Sequence, residues 1–216
     1  MRNLEFAEKE FYHIYNRGVD KRNIFLNSKD LERFFEGLRR FNSEENFGHL
    51  DRIIENKKVH PLVKIIAYCV NPNHFHFILE QVAEKGIEKF MHKLSMGYAK
   101  YFNTKYKRGG ALFQGMFRAK HIDNNEYLLH LSAYINLNHM AHARRHGVST
   151  LSRASWDEYL GSAHGKALCE KEIILGQFKN KEAYQKFAES SLKSIVERKM
   201  LLEELAEAGI ELINTR

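Results

Sequence analysis

The order of periodic segments in this chain predicts an α+β fold, in which a four-stranded antiparallel sheet is backed by two helices and followed by further helices. Three observations carry that expectation. Strand-like alternation and helix-like three- and four-residue spacing succeed one another as strand, helix, strand, strand, helix, strand. Only Asn71-Pro72-Asn73 separates the two middle strands, and a turn this short makes them antiparallel neighbours. No internal repeat, low-complexity tract or membrane-length apolar run interrupts the pattern.

Phe11 to Arg17 is rich in aromatic and branched residues, ends at Gly18, and reads as the first strand. Ser28 is the expected N-cap of a helix from Ser28 to Asn42, because Leu31, Phe34, Phe35, Leu38 and Phe41 recur along one side. Phe47 to Pro61 is polar and reads as a loop. Val63 to Val70 and His74 to Gln81 are the next two strands. Ile87, Phe90, Met91, Leu94, Tyr98, Tyr101 and Phe102 then trace one face of a second helix, with Lys85, Lys89, Lys93 and Lys100 largely off it. Gly109-Gly110 breaks that helix, and a fourth strand is expected around Phe117 to Ile122. Asn125 is expected to cap a third helix running to about Asn138. This succession is the split βαβ arrangement of ferredoxin-like and RRM-like folds. Residues 1–145 would form that domain, and 146–216 a helical C-terminal extension packed on or beside it.

Composition narrows the partners. The 34 Lys and Arg against 27 Asp and Glu give a net charge of +7, and the excess is localised. Between Lys85 and Lys120 lie nine basic residues and a single acid, Glu88. A concentrated basic segment suits a polyanion, of which nucleic acid is the commonest. The two cysteines, Cys69 and Cys169, suggest neither a disulfide framework nor a cysteine metal site, which fits a reducing cytoplasm. Charged residues precede any apolar run at the N-terminus, so no signal peptide is expected.

The chemistry is concentrated at His74-Phe75-His76. Alternation along a strand puts both imidazoles on one face and Phe75 on the other, an arrangement suited to a divalent metal. Two imidazoles are too few for a site by themselves. On the third helix Tyr127, His130, Tyr134 and Asn138 fall near one face. A tyrosine beside a metal on a basic surface suggests a nucleophile for a phosphodiester, and Asn138 can offer an oxygen as third ligand. Tyr127 is the rival nucleophile. Glu80 shares strand parity with the histidines but reads better as a rim carboxylate, and His121 as a packed or surface residue. His139, His142 and His146, with Arg144 and Arg145 beside them, read as a cationic surface rather than a metal cluster. Trp156 and Tyr159 read as packing residues.

The segments FYHIYNRGVDKRNIF, AYCVNPNHFHFILE, GALFQGMFRAKHID, EYLLHLSAYINLN and SWDEYLG occur in the order found in single-tyrosine HUH transposases. Together, from Phe11 to Gly161, they most closely resemble the REP-associated tyrosine transposases. The resemblance implies a metal-dependent endonuclease and strand transferase acting on single-stranded DNA next to a hairpin. His74 and His76 match the family's paired histidines, which bind Mg or Mn; Tyr134 matches the nucleophile and Asn138 the residue completing the metal site. Cleavage in the family leaves a covalent 5′-phosphotyrosine and a 3′-OH. Two departures stand out: His139-Met140 follows Asn138 where Pro-Val is common, and Met116 stands where a basic residue is frequent. Arg17, Lys89, Lys93, Lys100, Arg108 and Arg118 are the expected DNA contacts, and the protein is expected to act as a monomer or homodimer. The alternatives are a hairpin-binding protein without catalysis and a replication-initiator nickase. The absence of a GxxxxGK[ST] phosphate loop ranks the nickase last.

Overall fold

The computed structural model describes residues 4–44, 60–146, 149–162 and 167–207, with the backbone alone for 141–146 and 195–207. Strands β1 (Phe11–Arg17), β2 (Val63–Asn71), β3 (His74–Gln81), β4 (Arg118–Ile122) and β5 (Arg153–Ala154) form one sheet in the order β4-β1-β3-β2-β5. All pairings are antiparallel, and β3, which carries the histidines, is central. The sheet therefore has five strands where the sequence predicts four. The addition, β5, is two residues long, too short to leave a period in the sequence. Most of the expected loop, residues 45–59, lies outside the described residues.

Helices α1 (Ser28–Arg40) and α2 (Gly86–Lys105) cover one face of the sheet. Tyr12, Ile14, Phe75, Phe77 and Leu79 meet Phe34, Phe35 and Leu38 of α1 and Phe90, Met91 and Leu94 of α2 in one buried cluster. The two helices approach closely at Gly97, where an added Cβ would lie 2.8 Å from the Phe41 ring. The N-cap of α1 is Asn27 rather than Ser28. Asn27 Oδ1 accepts from the Asp30 amide at 3.2 Å while Asp30 Oδ2 accepts from the Leu26 amide at 2.9 Å, a reciprocal cap that Ser28 is one residue too late to make.

The other face carries α3 (Asn125–His146), then α4 (Trp156–Leu160), α5 (Glu172–Leu175) and α6 (Lys181–Glu207). Cys69, Ile78 and Ile122 of the sheet pack with Leu131, Ile135 and Leu137 of α3, and the same core continues through Trp156, Tyr159 and Tyr184. The helix runs two turns beyond the predicted end at Asn138, with no proline or glycine to stop it at that point. It is capped by Asn124, whose Oδ1 accepts from the Tyr127 amide at 2.7 Å, rather than by Asn125. Likewise β4 begins at Arg118, one residue after the expected Phe117. Among the described residues no helix is long and apolar enough to cross a membrane.

Asp30 joins the two helices of the first face. It is fully buried, and its carboxylate accepts from Lys105 Nζ at 2.5 Å, Tyr101 Oη at 3.1 Å and Tyr106 Oη at 2.7 Å as well as from Leu26. Burial raises the carboxyl pKa, but these donors together outweigh it and hold the group below its ordinary range. A depressed carboxyl contributes stability that is full above its unfolded pKa of about 4 and is lost as pH falls through the folded value. Asp30→Asn is therefore expected to lower stability by about 3 kcal/mol at pH 7. The deficit should shrink as pH is lowered to 3, as read from urea unfolding at both pH values.

Candidate active site

The site is built on the α3 face of β3. Phe75 is fully buried in the α1/α2 core, while His74 and His76 turn the other way with ring centroids 5.2 Å apart, nearly perpendicular at 85°. The α3 helix lies over this face and brings the Tyr134 ring to 6.1 Å from the His76 ring. Asn138, one turn later, is buried at 7% exposure. The four residues singled out in the sequence are thus gathered by one strand and one helix.

Asn71, the last residue of β2, ties the donors together. Its Nδ2 donates to Asn138 Oδ1 at 2.8 Å and lies 3.2 Å from His74 Nε2. Its Oδ1 accepts from Ser152 Oγ at 3.1 Å. Behind His74, Asn73 Oδ1 lies 2.6 Å from Nδ1, and Asn73 Nδ2 donates to the Lys21 carbonyl at 3.2 Å. Asn73 therefore presents an acceptor, so His74 Nδ1 carries the proton and Nε2 keeps its lone pair. Behind His76, Nδ1 lies 3.0 Å from His13 Nε2 on β1.

Both of these half-buried imidazoles are disfavoured as cations. Burial, and then the charge of Lys120, push His13 down to about 4. Burial also holds His76 well below its ordinary value, with repulsion from His13 and His74 adding to it. An imidazole nitrogen and an amide oxygen each offer a lone pair to a divalent cation, the nitrogen favouring a softer ion and the oxygen a harder one such as Mg or Mn, so His74, His76 and Asn138 fit a divalent cation. Among the described residues no group of three or more His, Cys, Asp or Glu side chains is placed to hold a metal.

The histidines form one wall of a cavity of about 360 Å³. Tyr15, Asn16 and Arg17 line it from β1, Gln114 from the loop before β4 and Arg118 from β4 itself. That loop is strapped to the end of β1: the Gln114 amide donates to the Arg17 carbonyl at 2.9 Å, and Asn16 Nδ2 donates to the Gly115 carbonyl at 3.2 Å. Met116, at the loop tip, is 73% exposed.

Of the expected DNA contacts, Arg17 and Arg118 reach this cavity. Lys89, Lys93 and Lys100 do not, because α2 packs on the opposite face of the sheet. Lys89 lies 3.8 Å from Glu44, Lys93 donates to the Ser43 carbonyl at 2.8 Å, and Lys100 is exposed. Arg108 holds its own loop, donating to Asn103 Oδ1 at 3.0 Å and the Ala111 carbonyl at 2.8 Å. The rival residues also have other settings. Tyr127 stacks under Lys120, His130 bonds to Ser191 beneath α6, and His121 pairs with Glu10 at 2.8 Å. Glu80 pairs with Lys64 at 3.0 Å, six residues or about 20 Å along the strand from His74. Trp156 and Tyr159 are buried packing residues; the side chains of His142, Arg144, Arg145 and His146 lie outside the described residues. Sequence reasoning missed His13, Tyr15, Asn71, Asn73 and Gln114. For His13 and Tyr15 the available signal was parity, since both lie on the histidine side of β1.

The profile of the family described as "Transposase IS200 like" matches residues 11–138, a stretch that contains all four central residues. Similar solved structures include a REP-associated tyrosine transposase bound to a REP hairpin, at 13% identity and a TM-score of 0.48, covering 77% of this chain and 92% of that one. Another is a provisionally assigned transposase from Deinococcus radiodurans R1, at 11% identity and a TM-score of 0.37, covering 69% of this chain and 99% of that one. No curated protein is a sequence match.

The site contains one further nucleophile type, the Cys69 thiol, 3.9 Å from Asn138 Oδ1. Burial pushes it up to about 12, and Cys169 is also raised well above its ordinary value. At pH 8 about one Cys69 in ten thousand would be thiolate. Cys69, which is fully buried, is not expected to react with a disulfide reagent such as DTNB in the folded protein and should react in guanidinium, as read by thiolate release.

Proposed function

The chain belongs to the IS200-like transposase family, and on that premise we propose that it cleaves and rejoins single-stranded DNA next to a hairpin through a covalent tyrosine intermediate. One observation carries this reading: Tyr134, His74, His76 and Asn138 converge at one place within a single chain, beside a cavity edged by Arg17 and Arg118. The ordered motifs point to REP-like palindromes as the substrate class.

The cavity is suited to a phosphodiester flanked by unpaired nucleotides. Arg17 and Arg118 would hold phosphate oxygens, with a guanidinium fork matched to that geometry. Tyr134 Oη would attack the phosphorus. The bond from phosphorus to the 3′ oxygen of the preceding nucleotide breaks, that oxygen leaves as a 3′-OH after taking up a proton, and the phenol proton is lost to solvent. The 5′ phosphate stays on Tyr134, so the bond energy is kept for attack by another 3′-OH. His74, His76 and Asn138 would hold Mg or Mn, which when bound supplies Lewis-acid polarisation of the scissile phosphate. Because α3 docks on the sheet of its own chain, Tyr134 is proposed to serve its own histidine pair.

Purified protein with Mn and end-labelled hairpin oligonucleotides should give a protease-sensitive adduct on a denaturing gel. Tyr134→Phe and His76→Ala should each abolish it, as should chelation. An adduct that persists in Tyr134→Phe overturns the assignment of the nucleophile. A mixture of Tyr134→Phe with His76→Ala should remain inactive, whereas recovery of cleavage in the mixture would place the tyrosine in a partner's site.

A further inference from the structure

We propose that His13 is a positioning residue, which fixes His76 in the tautomer that presents a bare Nε2 to the cavity. The inference rests on the reading of His76 as a metal ligand given above, and it concerns a residue outside the four that reading uses.

His13 sits on β1 directly between β3 and β4, paired in register with Ile78 and Lys120. Its position is set by the sheet. The side chain lies behind His76 rather than in the cavity wall, with Nε2 3.0 Å from His76 Nδ1 and the rings stacked at 5.2 Å and 24°. A bond of that length between two neutral imidazoles holds one proton, and either ring can be its donor. If His13 donates, His76 carries its own proton on Nε2, and that nitrogen can hold neither a cation nor anything else that needs a lone pair. If His76 donates, Nε2 is bare.

Two features select the second arrangement. The first is the cavity itself, which is edged by Arg17 and Arg118. A lone pair facing that positive field is favoured over an N–H dipole pointing into it. The second is the parallel at His74, where the Asn73 amide is oriented by the Lys21 carbonyl and so offers only an acceptor to Nδ1. Each histidine of the pair is thus held at Nδ1 from behind, by Asn73 in one case and His13 in the other. An outer residue that fixes ring orientation and tautomer in this way commonly governs metal affinity. The Asn73 contact is settled by geometry alone; His13 is the partner with a choice, and therefore the one whose removal is informative.

The test is an imidazole ¹⁵N spectrum of the full-length, metal-free protein, which reads the tautomer without DNA, metal or turnover. In the wild type His76 should show a protonated Nδ1 and an unprotonated Nε2. His13→Phe keeps a ring for stacking but has no acceptor, so a proton left on His76 Nδ1 would face the Phe ring without a partner; that penalty outweighs the preference set by the cavity field, and the proton should move to Nε2. His13→Gln restores an acceptor and should return it to Nδ1. In a Mn titration His13→Phe should bind about ten- to a hundred-fold more weakly than wild type and His13→Gln within a few-fold, with the metal-free melting temperatures alike. A wild-type His76 protonated on Nε2 overturns the proposal, even if His13→Phe fails to fold. So does an unchanged tautomer in a folded His13→Phe protein. If wild-type protein binds no Mn, the metal reading of the site fails, while the spectrum still decides the role of His13.

Discussion

β3 lies in the middle of the sheet, and its alternate side chains meet two environments with opposite requirements. Phe75 and Phe77 enter a dry aromatic core with Phe34 and Tyr98, at ring separations of 4.8–6.4 Å. His74 and His76, one residue out of phase, must stay polar enough to keep lone pairs and rigid enough to share a target. A register slip of one residue would exchange the two sets and bury imidazoles among phenylalanines. The aromatic face is what forbids that slip. The geometry of the histidine pair is therefore a consequence of packing on the side of the sheet that has no part in the chemistry.

The helix over the histidines has to be held just as firmly, and the means are different. On its outer side α3 carries Ser132 and Asn136, one turn apart and both fully buried. Asn136 Nδ2 donates to Tyr184 Oη at 2.8 Å, Ser132 Oγ lies 3.1 Å from the same hydroxyl, and Asn136 Oδ1 accepts from Ser155 Oγ at 2.5 Å. Ser155 in turn accepts from the Tyr68 amide at 2.9 Å, which returns the network to β2. A second buried chain runs from Tyr68 Oη to Glu158 at 2.8 Å, and Glu158 accepts from the Leu168 and Cys169 amides at 2.9 Å. Polar groups buried this deeply are costly to separate from their partners, so α3 has little freedom to slide or rotate. The segments after residue 146 supply most of these partners, which gives them a direct bearing on where Tyr134 and Asn138 stand.

Much of this was legible in the sequence because it depends on period. Two-residue alternation placed His74 and His76 together, and four-residue spacing placed Tyr134 with Asn138. What was not legible depends on pairings between distant segments. Nothing local distinguishes His13 from any histidine in a strand; its meaning comes from the register that sets it beside His76, sixty-three residues away. Asn71 and Asn73 read as turn formers, and they are that, but the turn also aims their amides at Asn138 and His74. Charge counting found the basic stretch correctly and could not see its direction, since Lys89, Lys93 and Lys100 belong to a helix on the far face.

That difference in direction bears on how the site is charged. Desolvation disfavours charge on the inner groups: it lowers the pKa of His13 and of His76, and Asn71 and Asn138 are amides with no charge to lose. Glu80, the carboxylate of the same strand face, is spent on Lys64 at the other end of β3. Among the described residues lining the cavity, the guanidiniums of Arg17 and Arg118 carry positive charge, held at its edge by β1 and β4. A neutral interior within a cationic edge attracts an anion without holding one of its own, and it leaves the lone pairs of the inner donors facing the place where that anion would sit. For a phosphodiester this is the useful order of charge, because among the described residues lining the cavity there is no carboxylate that the phosphate must first displace.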